Sequence, residues 1–243
     1  MNFAKKLVAL EQIYQVYDHV IKGFDLACKR YCADCCTRNV TMTTLEGYKI
    51  ADFLKLKGKT DLYARIQKTL DKRRFLPEIT MNTLAELCLQ KNDIPQEEID
   101  VRWGKCPLLT NDECPIYPVR PFGCRCFVSS TRCMETGYAE VDPFVLTVNT
   151  LFLQYIEHVD RNGYFGNLTD VLLFMQTEEN GKILQKGVLN FKKTRMIPNR
   201  PIKALFVPPE HKTRIEPILK ALKNSDVNLG LSSTRQGGIK NKG

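Results

Sequence analysis

Apolar residues recur at Leu7, Leu10, Tyr14, Tyr17, Ile21, Phe24 and Cys28. These alternating steps of three and four draw one stripe along a long first helix, which is expected to deliver Cys28 to the core side at its end. The next segment, RYCADCCTRN, has no such period and reads as a loop. Thr43 and Glu46 have the spacing of a capping box and open a second helix through LEGYKIADFLKLK to Gly58. Thr60 is expected to cap a third helix that ends before Pro77, and a fourth covers about Ile79 to Lys91. There Cys88 is expected to pack as a small apolar residue among Leu84, Leu87 and Leu89.

Periodicity disappears between Pro95 and Arg132, where Pro95, Pro107, Pro115, Pro118 and Pro121 keep regular elements short. Helical pattern returns at Asp142-Pro143, an N-cap followed by a first-turn proline, runs towards Gly163, and resumes from about Leu168 to Gln176. KALFV, residues 203–207, reads as a short strand, and about Glu210 to Lys223 as a last helix. The expected fold class is mainly α: a helical domain around an irregular, cysteine-rich metal-binding core. Residues 1–180 form that domain, 181–230 a basic extension packed on it, and 231–243 a disordered tail.

Composition narrows the function classes. The 243 residues are 43% hydrophobic and 26% charged, which is globular usage. No apolar run approaches the roughly 18 residues of a spanning helix. The amino-terminal apolar stretch is broken at Glu11, so neither signal peptide nor membrane anchor is expected. Ten cysteines in such a chain point away from a disulfide framework towards metal or redox chemistry in the cytoplasm. The net charge of +9 is uneven: residues 181–243 hold fourteen basic and three acidic residues, +11, against −2 for residues 1–180. The basic residues are scattered, without an aromatic stacking platform or a helix-turn-helix pattern, which argues against nucleic acid and leaves a redox or other protein partner.

Two irregular segments carry the candidate chemistry. One is Cys28-KRY-Cys32-AD-Cys35-Cys36, and the other is Cys106-PLLTNDE-Cys114-PIYPVRPFG-Cys124-R-Cys126, with Cys133 just beyond. Loops can bring thiolates together around an ion, and coordination supplies folding free energy that a proline-rich stretch lacks. The two segments are therefore expected to join at one site, with Cys28, Cys32, Cys35, Cys36, Cys106, Cys114, Cys124 and Cys126 as the candidate ligands. Only Cys32-AD-Cys35 has clean zinc-knuckle spacing, and so many thiols would need two zinc ions or an iron–sulfur cluster, four-iron by first choice. Arg38, Arg120 and Arg125 could offset the negative charge of a thiolate-bound centre, or simply bond to loop carbonyls. Trp103 could shield the site or belong to the core. His19, His158 and His211 lie outside the clusters, Glu97, Glu98 and Asp100 read as a solvated patch, and no catalytic residue is legible.

The cysteine pattern resembles the YkgJ-like cysteine-cluster family, also called CxxCxxCC proteins. Cys32-AD-Cys35-Cys36 matches its first block, and Cys114, Ile116, Tyr117, Arg120, Pro121, Cys124 and Arg125 match its second. Cys106-Pro107-Leu108 resembles the element between them, whereas Cys28 lies one residue farther from Cys32 than the family spacing. Over about Cys28 to Phe127 the resemblance implies zinc, iron or iron–sulfur binding. Three functions follow: an iron–sulfur protein in redox or electron transfer, a cluster-dependent enzyme, or a zinc-stabilised interaction module. Cys28, Cys32 and Cys35 also have the radical S-adenosylmethionine spacing, but Asp34 stands where that superfamily has an aromatic residue, and no strand-helix succession follows. Cluster-containing flagellin lysine methylases share the motif, yet no glycine-rich cofactor loop is present.

Overall fold

The first helix, α1, spans Phe3–Ile21 in the computed structural model, which describes residues 1–187 and 195–224. The Asn2 side chain caps it by accepting the Lys5 N–H at 2.9 Å. Its apolar stripe packs against α7 (Pro143–Val159) and α10 (Lys212–Asn224). Tyr14, Tyr17, Phe152 and Tyr155 fill this layer, together with Ile215, Ile218 and Leu222 from the carboxy-terminal region. The described part of that basic region thus shares the main core. Residues 188–194 and the tail from 225 onward lie outside the described residues.

A second apolar layer forms around α2 (Thr44–Leu56), α3 (Leu62–Gln67) and α8 (Leu168–Met175), beneath a small antiparallel sheet. The sheet joins β1 (Thr41–Thr43), β2 (Tyr164–Asn167) and β3 (Ile197–Pro198) in that order, with Met42 opposite Gly166 and Phe165 opposite Ile197. The remaining helices are α4 (Met81–Gln90), the four-residue α5 (Phe122–Arg125) and α6 (Cys133–Thr136), and α9 (Glu178–Lys186). The fold is mainly α, as expected, and among the described residues no helix is long and apolar enough to cross a membrane.

Two buried charged residues tie the layers. Asp160, at the end of α7, accepts the Thr44 hydroxyl at 2.7 Å, the Leu45 N–H at 3.0 Å and the Asn199 amide at 3.1 Å, so one carboxylate caps α2 and holds the segment after β3. Arg74 binds both oxygens of Asp170 on α8, at 2.9 and 2.7 Å, and orders the irregular chain after α3.

Several local expectations are corrected. α1 stops at Ile21, where Gly23 and Phe24 N–H groups close the last turn, so Cys28 lies in the following loop and is exposed rather than on the helix's core side. The third helix ends at Gln67 and has no side-chain cap from Thr60. KALFV is not a strand: the Gln154 side chain donates to Ala204 O at 2.8 Å and accepts from Phe206 N at 2.9 Å, taking the place of a ladder. Cys88 is half-buried, but Leu89 beside it is 71% exposed. The acidic patch lies at the surface, as expected, and makes contacts there: Glu97 accepts the Glu78 and Ile79 N–H groups, Glu98 pairs with Arg73, and Asp100 with Arg102.

Candidate metal centre

The first cysteine loop is held open by backbone geometry. Tyr31 has φ +74°, a left-handed conformation that is unusual for a bulky residue, and it turns the chain between Cys28 and Cys32. Tight turns follow, with Cys32 N–H on Lys29 O and Cys36 N–H on Ala33 O, both at 3.1 Å. The loop is then stitched to the second segment. Cys106 N–H donates to Cys36 O at 2.9 Å, Arg38 N–H to Gly104 O at 3.0 Å, and the Lys105 ammonium to Ala33 O at 3.1 Å.

Asn111 and Asp112, both at positive φ, form the turn between Thr110 and Glu113, whose backbones bond reciprocally at 3.0 and 2.8 Å. This turn brings Cys114 back towards Cys106. Farther along, α5 docks its N-terminus on Glu46, whose buried carboxylate accepts the Phe122 N–H at 2.7 Å. The same carboxylate accepts the Tyr14 hydroxyl at 2.6 Å and completes the capping box on the Thr43 N–H at 2.8 Å. A methyl group on Gly123 would lie 2.3 Å from Thr41 O, so only glycine lets α5 sit this close to β1 and carry Cys124 inward.

The two segments meet. Cys28, Cys32, Cys35, Cys36, Cys114 and Cys124 line one cleft of about 200 Å³. Cys106 and Cys126 do not line it. Cys106 and Cys114 pack with Cys124 against the α2–α8 layer, and Cys126 packs on the α1–α7 layer with its thiol directed at Gly123 O, 3.7 Å away. All ten cysteines are free thiols. Among the described residues, no three Cys, His, Asp or Glu side chains already converge as a metal-holding group.

Sequence reasoning passed over Cys133. Ala27 N–H bonds to Ser129 O at 2.9 Å, and this contact folds the chain after Cys126 back beside the first loop, so that Cys133 acts electrostatically on Cys28 and Cys32. The only sequence signal was its nearness to Cys126. Trp103 stacks under Arg73 at 4.7 Å and is not part of the cleft wall. None of the histidines lines it either; His158 Nδ1 accepts Ile202 N–H, and His211 Nδ1 pairs with the Thr147 hydroxyl.

The thiols are electrostatically frustrated. Burial raises the Cys28, Cys32 and Cys114 thiols above the usual range and pushes Cys106 up to about 11 and Cys126 up to about 12. Burial also raises Cys124 strongly, with added repulsion from Cys106, Cys114 and Cys126. The hydrogen bond with Cys36, followed by burial, raises Cys35. Burial is the first cause of every shift but that of Cys35, and a bound cation reverses the direction, because a coordinated thiol is deprotonated.

Four basic side chains line the cleft, among them Arg120 and Arg125. Arg125 matches the reading as a loop clamp: it donates to Arg120 O at 3.1 Å and faces Asp18 at 3.4 Å. Arg120 stacks on Tyr117 at 3.9 Å, counters the charge of Cys114 and Cys124, and leaves its buried Nε–H without an acceptor. Arg38 is turned to Trp103 O at 2.9 Å and does not line the cleft. Six thiols in one cleft, which Asp18, Asp112 and Glu113 also line, with an unspent N–H beside them fit a thiolate-bound metal centre, whose sulfur atoms accept hydrogen bonds.

No curated protein and no solved structure matches the chain. Residues 27–144 match a family model, CxxCxxCC, described as “Putative zinc- or iron-chelating domain”.

Proposed function

We propose, from the match of residues 27–144 to the CxxCxxCC family model, that the chain binds its metal as an iron–sulfur cluster, four-iron by preference, in the cleft between the two cysteine segments. One observation carries this reading: six thiols, drawn from residues 28–36 and from residues 114–124, line the same cleft. Cys32, Cys35, Cys36, Cys114 and Cys124 are the ligands favoured by place and motif, and Cys28, Cys106 and Cys126 are the further candidates. Such a cluster supplies one-electron chemistry when bound.

The residues around it have assignable tasks. Arg120 supplies positive charge near Cys114 and Cys124 and a buried Nε–H free to bond a cluster sulfur, while Arg125 locks the loop from Pro118 to Arg120. Glu46 fixes the start of α5 and hence Cys124. Tyr31 and Cys32 leave the outer wall open to solvent, which suits electron exchange with a redox or protein partner in the cytoplasm. A zinc-stabilised interaction module is the second reading, favoured by the knuckle spacing of Cys32 and Cys35.

Anaerobic purification followed by iron, zinc and acid-labile sulfide analysis tests the choice. The expected protein is brown, with iron and sulfide in equal amounts. A colourless protein containing zinc overturns the cluster in favour of the second reading.

A further inference from the structure

Next to α5 lies a second cavity, of about 230 Å³, walled by Phe75, Ile79, Leu84, Leu153, Ile156 and Phe165. Gly123 belongs to its wall and Cys124, the next residue, to the cysteine cleft. The exposed Ile94 and the half-buried Glu97 form its outer edge. An apolar cavity of about 150 Å³ is enough to take up benzene, so this one has room for one ring or a short alkyl chain with a head group.

Its charged lining is one-sided. Glu46, Glu97 and Glu157 border the cavity, and among the described residues no Lys, Arg or His does, although the chain as a whole carries +9. The Glu46 oxygens are taken up by Tyr14, Thr43 and Phe122, which leaves Glu157 and Glu97 to meet a ligand. Glu157 is 3% exposed and receives one backbone N–H on each oxygen, from Asn82 at 2.8 Å and Arg200 at 2.7 Å, and a further hydrogen bond from the Thr80 side chain. A carboxylate has about four acceptor sites, so beside these three donors one position remains for a ligand. Burial pushes this carboxyl up to about 7, and a cation beside it would relieve that penalty.

We infer that this cavity binds a small apolar cation, an alkyl- or arylalkyl-ammonium, with its hydrocarbon part among Phe75, Leu84 and Phe165 and its ammonium donating to Glu157. The site stands apart from the metal reading, since none of its lining residues is a thiol.

Calorimetry of the full-length protein with n-hexylammonium, n-hexanol and n-hexanoate tests this. Hexylammonium is expected to bind at least roughly tenfold more tightly than either of the others. Glu157→Gln should lower that affinity by about tenfold, and Leu84→Trp, which fills the cavity, should abolish binding. Hexanol binding as tightly as hexylammonium, no binding of hexylammonium at all, or undiminished binding by Leu84→Trp would overturn the proposal, and the first two outcomes do not depend on how a variant folds. Nα-acetyl-lysine amide distinguishes the source: binding assigns the site to lysine side chains, and its absence to free amines, in either case provided hexylammonium binds. Metal content is measured alongside and is expected to be the same with and without hexylammonium, so failure here leaves the metal reading intact.

Discussion

Glu46 shows how much one side chain organises around the thiols. Its carboxylate receives donors from α1, from its own capping box and from the N-terminus of α5. Glu46→Ala therefore strands the Tyr14 hydroxyl and the Thr43 and Phe122 N–H groups, and each buried unsatisfied group costs about 1–3 kcal/mol. The expected result is a loss of about 3 kcal/mol or more in urea unfolding, with reduced metal content. Wild-type metal content in a destabilised Glu46→Ala protein would show that α5 does not need this anchor. Cys88, on α4 and away from the cleft, is the contrasting case: Cys88→Ser should keep full metal content.

Elements place the thiols as much as residues do. α5 can approach β1 only because residue 123 lacks a side chain, so Gly123→Ala should force the two apart. Such overpacking costs about 1–3 kcal/mol, and metal retention should fall with it. Gly137→Ala meets nothing within 4 Å and carries only the strain of a left-handed φ, so it should leave metal binding unchanged. Equal metal content in both variants would count against α5 as the carrier of Cys124. The long helices were legible because period and cap agreed, as at Thr43–Glu46 and Asp142–Pro143. The sheet was not, since strands of three, four and two residues are too short to show alternation. KALFV misled because its hydrogen bonds come from Gln154, fifty residues earlier, and Cys133 was left out of the candidate ligands because the contacts of Ala27 and Cys28 with Ser129 O, which bring it back to the first loop, are not legible in the sequence. The cysteine segments themselves stood out by composition alone.

The whole molecule combines buried carboxyls with clustered thiols, and these respond to acid in opposite ways. Burial pushes Asp160 from 3.8 up to about 6 and Glu157 from 4.5 up to about 7. Between about pH 4 and 7 the folded metal-free chain thus holds protons that the unfolded chain has released, so its stability falls as pH rises through that window. The metal-free protein should show a higher urea midpoint at pH 5.5 than at pH 7.5. A metal-loaded protein should show the reverse, because protons compete with metal for thiolates. A lower midpoint for the metal-free protein at pH 5.5 would mean that neither carboxyl is held protonated.

The sharing of one centre by two distant segments is tested most directly by the metal content of anaerobically purified Cys32→Ser and Cys114→Ser, measured against wild type and Cys88→Ser. Loss of nearly all metal from each single variant, with Cys88→Ser unaffected, is the predicted result. Full retention in both, or losses that are partial in each and sum in the double variant, would contradict it by showing that the segments bind separately or not at all.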